Sequence, residues 1–127
     1  MADQIKALYT ASFAPNPQLV DIFAREKGID VEKMAVEVNI LAADNRGGDL
    51  IKKNPAGQVP YFELNDGTVI AETIAMCEFL EEIQPSPALF GKTPAERANA
   101  RMWQRRMEEH FHCAHAPHCS SHPHTHN

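Results

Sequence analysis

Pro60 stands between Val59 and Tyr61, two residues that favour extended structure. Proline has no N–H for a β-ladder and is kept out of the middle of central strands. The segment VPYFEL, residues 59–64, otherwise has the composition of a buried strand. Its proline therefore either opens an edge strand or leaves the backbone around Val59 free to bind something. VPYFEL is followed by Asn65-Asp66-Gly67 and then TVIAE. An Asp-Gly step between two apolar strands is a strong hairpin signal.

The rest of the chain supplies the partners of this hairpin. Residues 5–9, IKALY, are a short apolar strand candidate that runs into the polar, proline-marked loop TASFAPNP. Asn16 before Pro17 has the form of an N-cap followed by a first helical residue. Leu19, Val20, Ile22 and Phe23 then share one broad helical face, and Gly28 stops the helix. In residues 31–40, Met34, Val36 and Val38 alternate with Lys33, Glu37 and Asn39, the pattern of a half-buried strand. Residues 42–55 are loop with one short helix. In residues 72–84, Ile74, Cys77, Leu80 and Ile83 recur at helical spacing, and Pro85 ends the run. After the proline-rich PSPALFGK, Thr93-Pro94-Ala95-Glu96 opens a last helix with a capping threonine, a proline first and a glutamate third.

The order is β-α-β-α-β-β-α, then a linker, then α. A parallel β-α-β unit followed by a hairpin and a covering helix gives an α/β fold, a mixed four-stranded sheet of thioredoxin-like arrangement. At 127 residues the chain has room for one such domain and an appendage. A net charge of −5 argues against nucleic acid or an anionic membrane as partner. No stretch reaches the roughly 18 apolar residues of a membrane span, and MADQIKALYT lacks the features of a signal peptide. A cytoplasmic location is the expectation. Three cysteines make no disulfide framework.

The residues carry more than the order. Asn54-Pro55-Ala56-Gly57-Gln58-Val59-Pro60, then Asp66-Gly67, then Glu72-Thr73-Ile74-Ala75-Met76 resembles the N-terminal, glutathione-binding domain of the cytosolic glutathione transferases. LFGKTPAERANARMW resembles the linker and first helix of that family's second domain. The resemblance implies a cis Val59-Pro60 bond, with the valine backbone pairing with the cysteinyl residue of glutathione. It implies that the Thr73 hydroxyl and N–H hold the γ-glutamyl carboxylate and that Glu72 receives the ammonium, at a helix start that favours an anion. Gln58 would bond the peptide backbone of glutathione. A cation for the glycyl carboxylate is expected at Lys53, with Arg46 and Lys52 as alternatives. Glutathione is the implied co-substrate, and no metal is required.

Transferases of this kind need a donor that lowers the thiol pKa of glutathione, commonly Tyr, Ser or Cys just after the first strand. In LYTASFAPNPQLV, Ala14 and Pro15 fall where relatives carry serine or cysteine, and neither can donate. The remaining candidates are Asn16 first and Ser12 second, with Thr10 behind them; the APNP loop resembles that of bacterial nu-type relatives. Tyr9 is read as a strand residue facing the core. Absence of a cysteine from this loop sets the chain apart from thioredoxins and glutaredoxins. Cys77 is read as a small buried apolar residue.

The expected organisation is a glutathione-binding domain at 1–84, a linker at 85–93, the first helix of a truncated α-helical domain at 94–112, and a disordered His/Cys-rich tail at 113–127. All seven histidines fall between His110 and His126, a composition that binds divalent metals incidentally and fits no closed tetrahedral site. Ala95, Ala98 and Met102 form one apolar stripe of the last helix, and Ala100, Trp103, Met107 and Phe111 form another. So wide an apolar surface expects two sets of partners, and a homodimer is the expectation. The leading functional reading is attack of a bound glutathione thiolate on an electrophile, as in detoxification. The alternatives are glutathione-dependent disulfide reduction and a non-catalytic binding or scaffold module.

Overall fold

The computed structural model describes residues 2–115. It divides into two compact units, one running to Leu89 and one starting at Phe90. In the first unit, β1 (Ile5–Thr10), β2 (Ala35–Glu37), β3 (Tyr61–Leu64) and β4 (Val69–Ala71) form one sheet in the order β2-β1-β3-β4. β1 and β2 run parallel; β1/β3 and β3/β4 are antiparallel. The helices are α1 (Pro15–Glu26), α2 (Gly48–Lys53) and α3 (Thr73–Ile83), giving the expected β-α-β-α-β-β-α order and mixed sheet.

The sheet has two different faces. Phe62 points to the side where α1 and α3 pack together; it is fully buried and lies 6.2 Å, ring to ring, from Phe79. Val20, Ala24, Met76 and Leu80 complete this core, together with the buried Cys77. Tyr9 and Tyr61, partners across β1 and β3, point to the opposite side and stack with centroids 4.7 Å apart. The short α2 reaches that side through Lys53, whose ammonium meets the Tyr9 hydroxyl.

Turn chemistry sets the connections. In the hairpin, Gly67 adopts φ +88°, Gly67 N–H donates to Leu64 O and Thr68 N–H to Asp66 Oδ1. α1 ends with Gly28 at φ +72°, where Gly28 N–H bonds Arg25 O and Ile29 N–H reaches back to Ala24 O, a Schellman closure. Lys27, one residue earlier, is buried and ties α1 to Glu81 of α3 and to the Pro87 carbonyl. A buried ammonium persists only when paired in this way.

Two expectations about local structure are corrected. α1 starts at Pro15 with Ala14 as N-cap and no side-chain cap, so Asn16 lies inside the first turn rather than capping it. Proline in the first position presets φ, and because Pro15 and Pro17 both lack an N–H the first turn has fewer donors for a capping side chain to satisfy. The strand expected over 31–40 is only Ala35–Glu37, and Met34 belongs to a preceding 3-10 turn. Val38 is buried, yet Val36 is 42% exposed. β2 is an edge strand, and Val36 lies opposite Tyr9 on the face turned away from α1 and α3.

The second unit contains α4 (Pro94–His115). Its start is a capping box: Glu96 N–H donates to Thr93 Oγ1 at 3.2 Å, and Lys92 and Thr93 N–H donate to Glu96 Oε2. Met102, Trp103 and Met107 are exposed, with the Arg106 guanidinium 5.2 Å from the Trp103 ring. The tail expected at 113–127 lies outside the described residues from 116 onward. Among the described residues, no helix is long and apolar enough to cross a membrane.

Candidate functional site

Pro60 does not open an edge strand; it leaves the backbone at Val59 outside the ladder. β3 is an interior strand, paired on one side with β1 and on the other with β4. Pro60 escapes the ladder because pairing begins one residue later, where Tyr61 faces both Tyr9 and Ala71. The Val59-Pro60 bond is cis, and Val59 is left outside the ladder. Asn54 shapes the approach: buried, it donates from Nδ2 to Gln58 O at 2.8 Å, while Ala56 N–H and Gly57 N–H bond its side-chain and backbone oxygens.

Val59 and Gln58 line a cleft of about 520 Å³ with Asn16, Pro15, Ile40 and Arg46. That volume suits a small molecule of several residues. The cleft borders the N-terminal turn of α1, where the helix dipole favours negative charge and Asn16, between Pro15 and Pro17, carries the one first-turn N–H. Arg46 has no ion-pair partner among the described residues. A positive helix end, a free guanidinium and the carboxamide of Asn16 can together hold an anion and polarise a neighbouring thiol.

The other candidates lie elsewhere. Ser12 donates its N–H and hydroxyl to Glu37 and faces a smaller cleft between α1 and the β1/β2 edge. Thr73 opens α3, and Glu72 before it adopts φ +70°, ψ 120° without a side-chain cap; neither lines the larger cleft. A non-glycine residue at such a φ is strained, and such strain clusters at functional sites. Lys52 pairs with Asp49 at the surface. Lys53 lies outside the cleft lining and donates to Tyr9 Oη at 2.7 Å and to Glu63 Oε2 at 2.8 Å.

Glu63 is the residue that sequence reasoning missed. It is 7% exposed, and its carboxylate also receives Lys6 Nζ at 2.7 Å and the Tyr9 hydroxyl at 3.0 Å. The Lys53 bond, then the Lys6 bond, pull its pKa down to about 2. The same carboxylate raises the pKa of Lys53. Tyr61 beside it is buried with a hydroxyl that has no partner among the described residues, and desolvation pushes its pKa up to about 12. A lone glutamate in the otherwise apolar β3, two residues after Tyr61 and so on the same face, was the available signal, though nothing local in the sequence names its three partners.

Sheet order, helix placement and the long following helix define a protein of thioredoxin-like fold that leads into a helical segment. Residues 13–83 match the family model described as glutathione S-transferase, N-terminal domain. The chain belongs to the glutathione S-transferase family. It is 34% identical over 101 residues to glutathione S-transferase 2 of Saccharomyces cerevisiae, an alignment covering 80% of this chain and 43% of the yeast protein. A glutathione S-transferase domain-containing protein of Marinobacter aquaeolei VT8 superposes with a TM-score of 0.75 at 38% identity, over 80% of this chain and 50% of that one. A glutathione transferase homologue from Sulfitobacter, solved with bound glutathione, gives 0.75 at 27% identity over 87% and 51%. The chain thus spans about half the length of these relatives.

Proposed function

We propose that this chain binds glutathione along the cleft between the start of α1 and the Val59 edge, and that its protein uses the bound thiolate against a small electrophile. The observation that carries the reading is the meeting of Asn16, Arg46, Gln58 and Val59 in one cleft of about 520 Å³ beside a helix N-terminus. The unpaired Val59 backbone takes the cysteinyl residue, and Asn16 with the α1 N-terminus stabilises the sulfur anion. Arg46, rather than Lys53, takes the glycyl carboxylate, with Gln58 beside it. Glu72 and Thr73 receive the γ-glutamyl end at the start of α3, and Ser12 braces the loop before α1 through Glu37. In the reaction the sulfur lone pair forms a C–S bond, and the leaving group departs with its electron pair. The glutathione-bound Sulfitobacter relative supports the ligand.

Isothermal titration with glutathione tests the placement. Thr73→Ala removes a hydrogen bond to a charged group, worth about 1.5–3 kcal/mol, so affinity falls roughly tenfold or more. Unchanged binding in that variant would remove the γ-glutamyl end from α3.

The reading extends to a cytoplasmic homodimer. Its support is the exposed Trp103 and Met107 of α4, large side chains whose burial is worth about 1.5–3 kcal/mol each. Light scattering on the full chain checks it: a discrete dimer mass with blue-shifted Trp103 emission is expected, and a monomer with water-like emission at high concentration rejects it.

A further inference from the structure

The segment that presents Gln58 and Val59 is held at its base by a charge pair outside the cleft. It leaves α2 at Lys53 and enters the sheet at Tyr61, and Lys53 is bonded across it to Glu63, with Nζ–Oε2 at 2.8 Å. The same ammonium donates to Tyr9 Oη at 2.7 Å and sits 4.8 Å from that ring's centroid, so the end of α2 is tied to both β1 and β3. Glu63 is fixed independently: Lys6 holds its other oxygen at 2.7 Å, and the strand pairs on both sides. Inside the segment Asn54, the residue directly after Lys53, bonds Gln58, Ala56 and Gly57. The register of the Val59 edge against α1 therefore depends on where Lys53 is held.

We propose that Lys53 and Glu63 are positioning residues: their ion pair closes the base of the 54–60 segment and sets the edge on which, under the glutathione reading above, the ligand pairs. Neither side chain touches the ligand. Losing the pair lets the segment sample positions in which Val59 is displaced, and apparent affinity falls in proportion to the population that remains competent. The Tyr9 hydroxyl and Lys6 keep Glu63 partnered when Lys53 is gone, so the sheet survives the change.

The test compares Lys53→Met, which keeps most of the apolar stem, with Lys53→Arg, which restores a cation, and with Lys33→Met as a control at an exposed lysine far along the chain. Each is melted first, to verify folding. Amide exchange at Ala56 and Gly57, whose N–H groups are bonded to Asn54, is followed without ligand, and glutathione is then titrated. In Lys53→Met we expect faster exchange at these two amides and a Kd raised about threefold or more, as when the competent population drops to about a third. Lys53→Arg should restore both, and Lys33→Met should change neither. Exchange and affinity in Lys53→Met equal to the wild type, or no recovery in Lys53→Arg, would overturn the clamp. A wild type that binds no glutathione would overturn the functional reading instead, while the exchange measurement still decides the clamp.

Discussion

Replacing Glu63 by glutamine keeps the shape of the side chain and removes the charge that Lys53, Lys6 and Tyr9 converge on. The carboxyl is drawn from 4.5 down to about 2, chiefly by Lys53 and then by Lys6. At about 1.4 kcal/mol per pH unit, that gap corresponds to roughly 3 kcal/mol of folded-state preference for the anion. The lysine side chains are 59% and 32% exposed, so solvent screening brings the expected effect nearer to about 2 kcal/mol. Because the folded-state pKa is depressed, this stability is fully present above about pH 4.5 and is lost as pH falls toward 2. Glu63→Gln should therefore melt about 10 °C below the wild type at pH 7, taking about 4–8 °C per kcal/mol for a domain of this size. Below pH 4.5 the two melting curves should converge, since every other carboxylate titrates alike in both proteins. Circular dichroism melts at pH 7, 5, 4 and 3 measure this. A gap that stays constant down to pH 3, or no gap at pH 7, would refute the electrostatic account of Glu63.

Two further outcomes follow from strained or unsatisfied groups. Tyr61→Phe removes a buried hydroxyl without a partner among the described residues and keeps the stack on Tyr9. Stability should hold or rise by about 1 kcal/mol, and a loss of that size in urea unfolding would reveal a hidden hydrogen bond. Glu72→Gly relaxes the residue at φ +70°, so the melting temperature should hold or rise while the glutathione Kd increases about tenfold. A variant both less stable and equally tight would contradict the role given to that position.

Local chemistry made much of the fold legible. Asp66-Gly67 announced the hairpin and Thr93 to Glu96 the start of α4, because a turn or a capping box is decided by residues within a few positions of one another. The Asn54 to Pro60 motif likewise located the Val59 edge. What stayed hidden depends on packing. Met34 and Val36 alternate like buried strand residues, yet the β-α-β crossover leaves β2 at the sheet edge with only Ala35–Glu37 paired. The start of α1 was shifted by a proline in its first position. Lys53 was assigned to a ligand because its partners Tyr9 and Glu63 lie 44 and 10 residues away, a separation over which composition and periodicity carry no information.

Cys77 sits in the α3 core at 2% exposure, and burial, aided by Glu78, pushes its thiol up to about 12. At pH 7 only about one such thiol in 10⁵ is ionised, against a few per cent for a free cysteine. In the native state an alkylating reagent meets neither an accessible sulfur nor a thiolate; on unfolding it meets both. Once Cys113 and Cys119 are changed to serine, the labelling rate of Cys77 becomes an internal clock for the opening of this domain. It would time, without any added probe, how long α3 stays closed over the sheet.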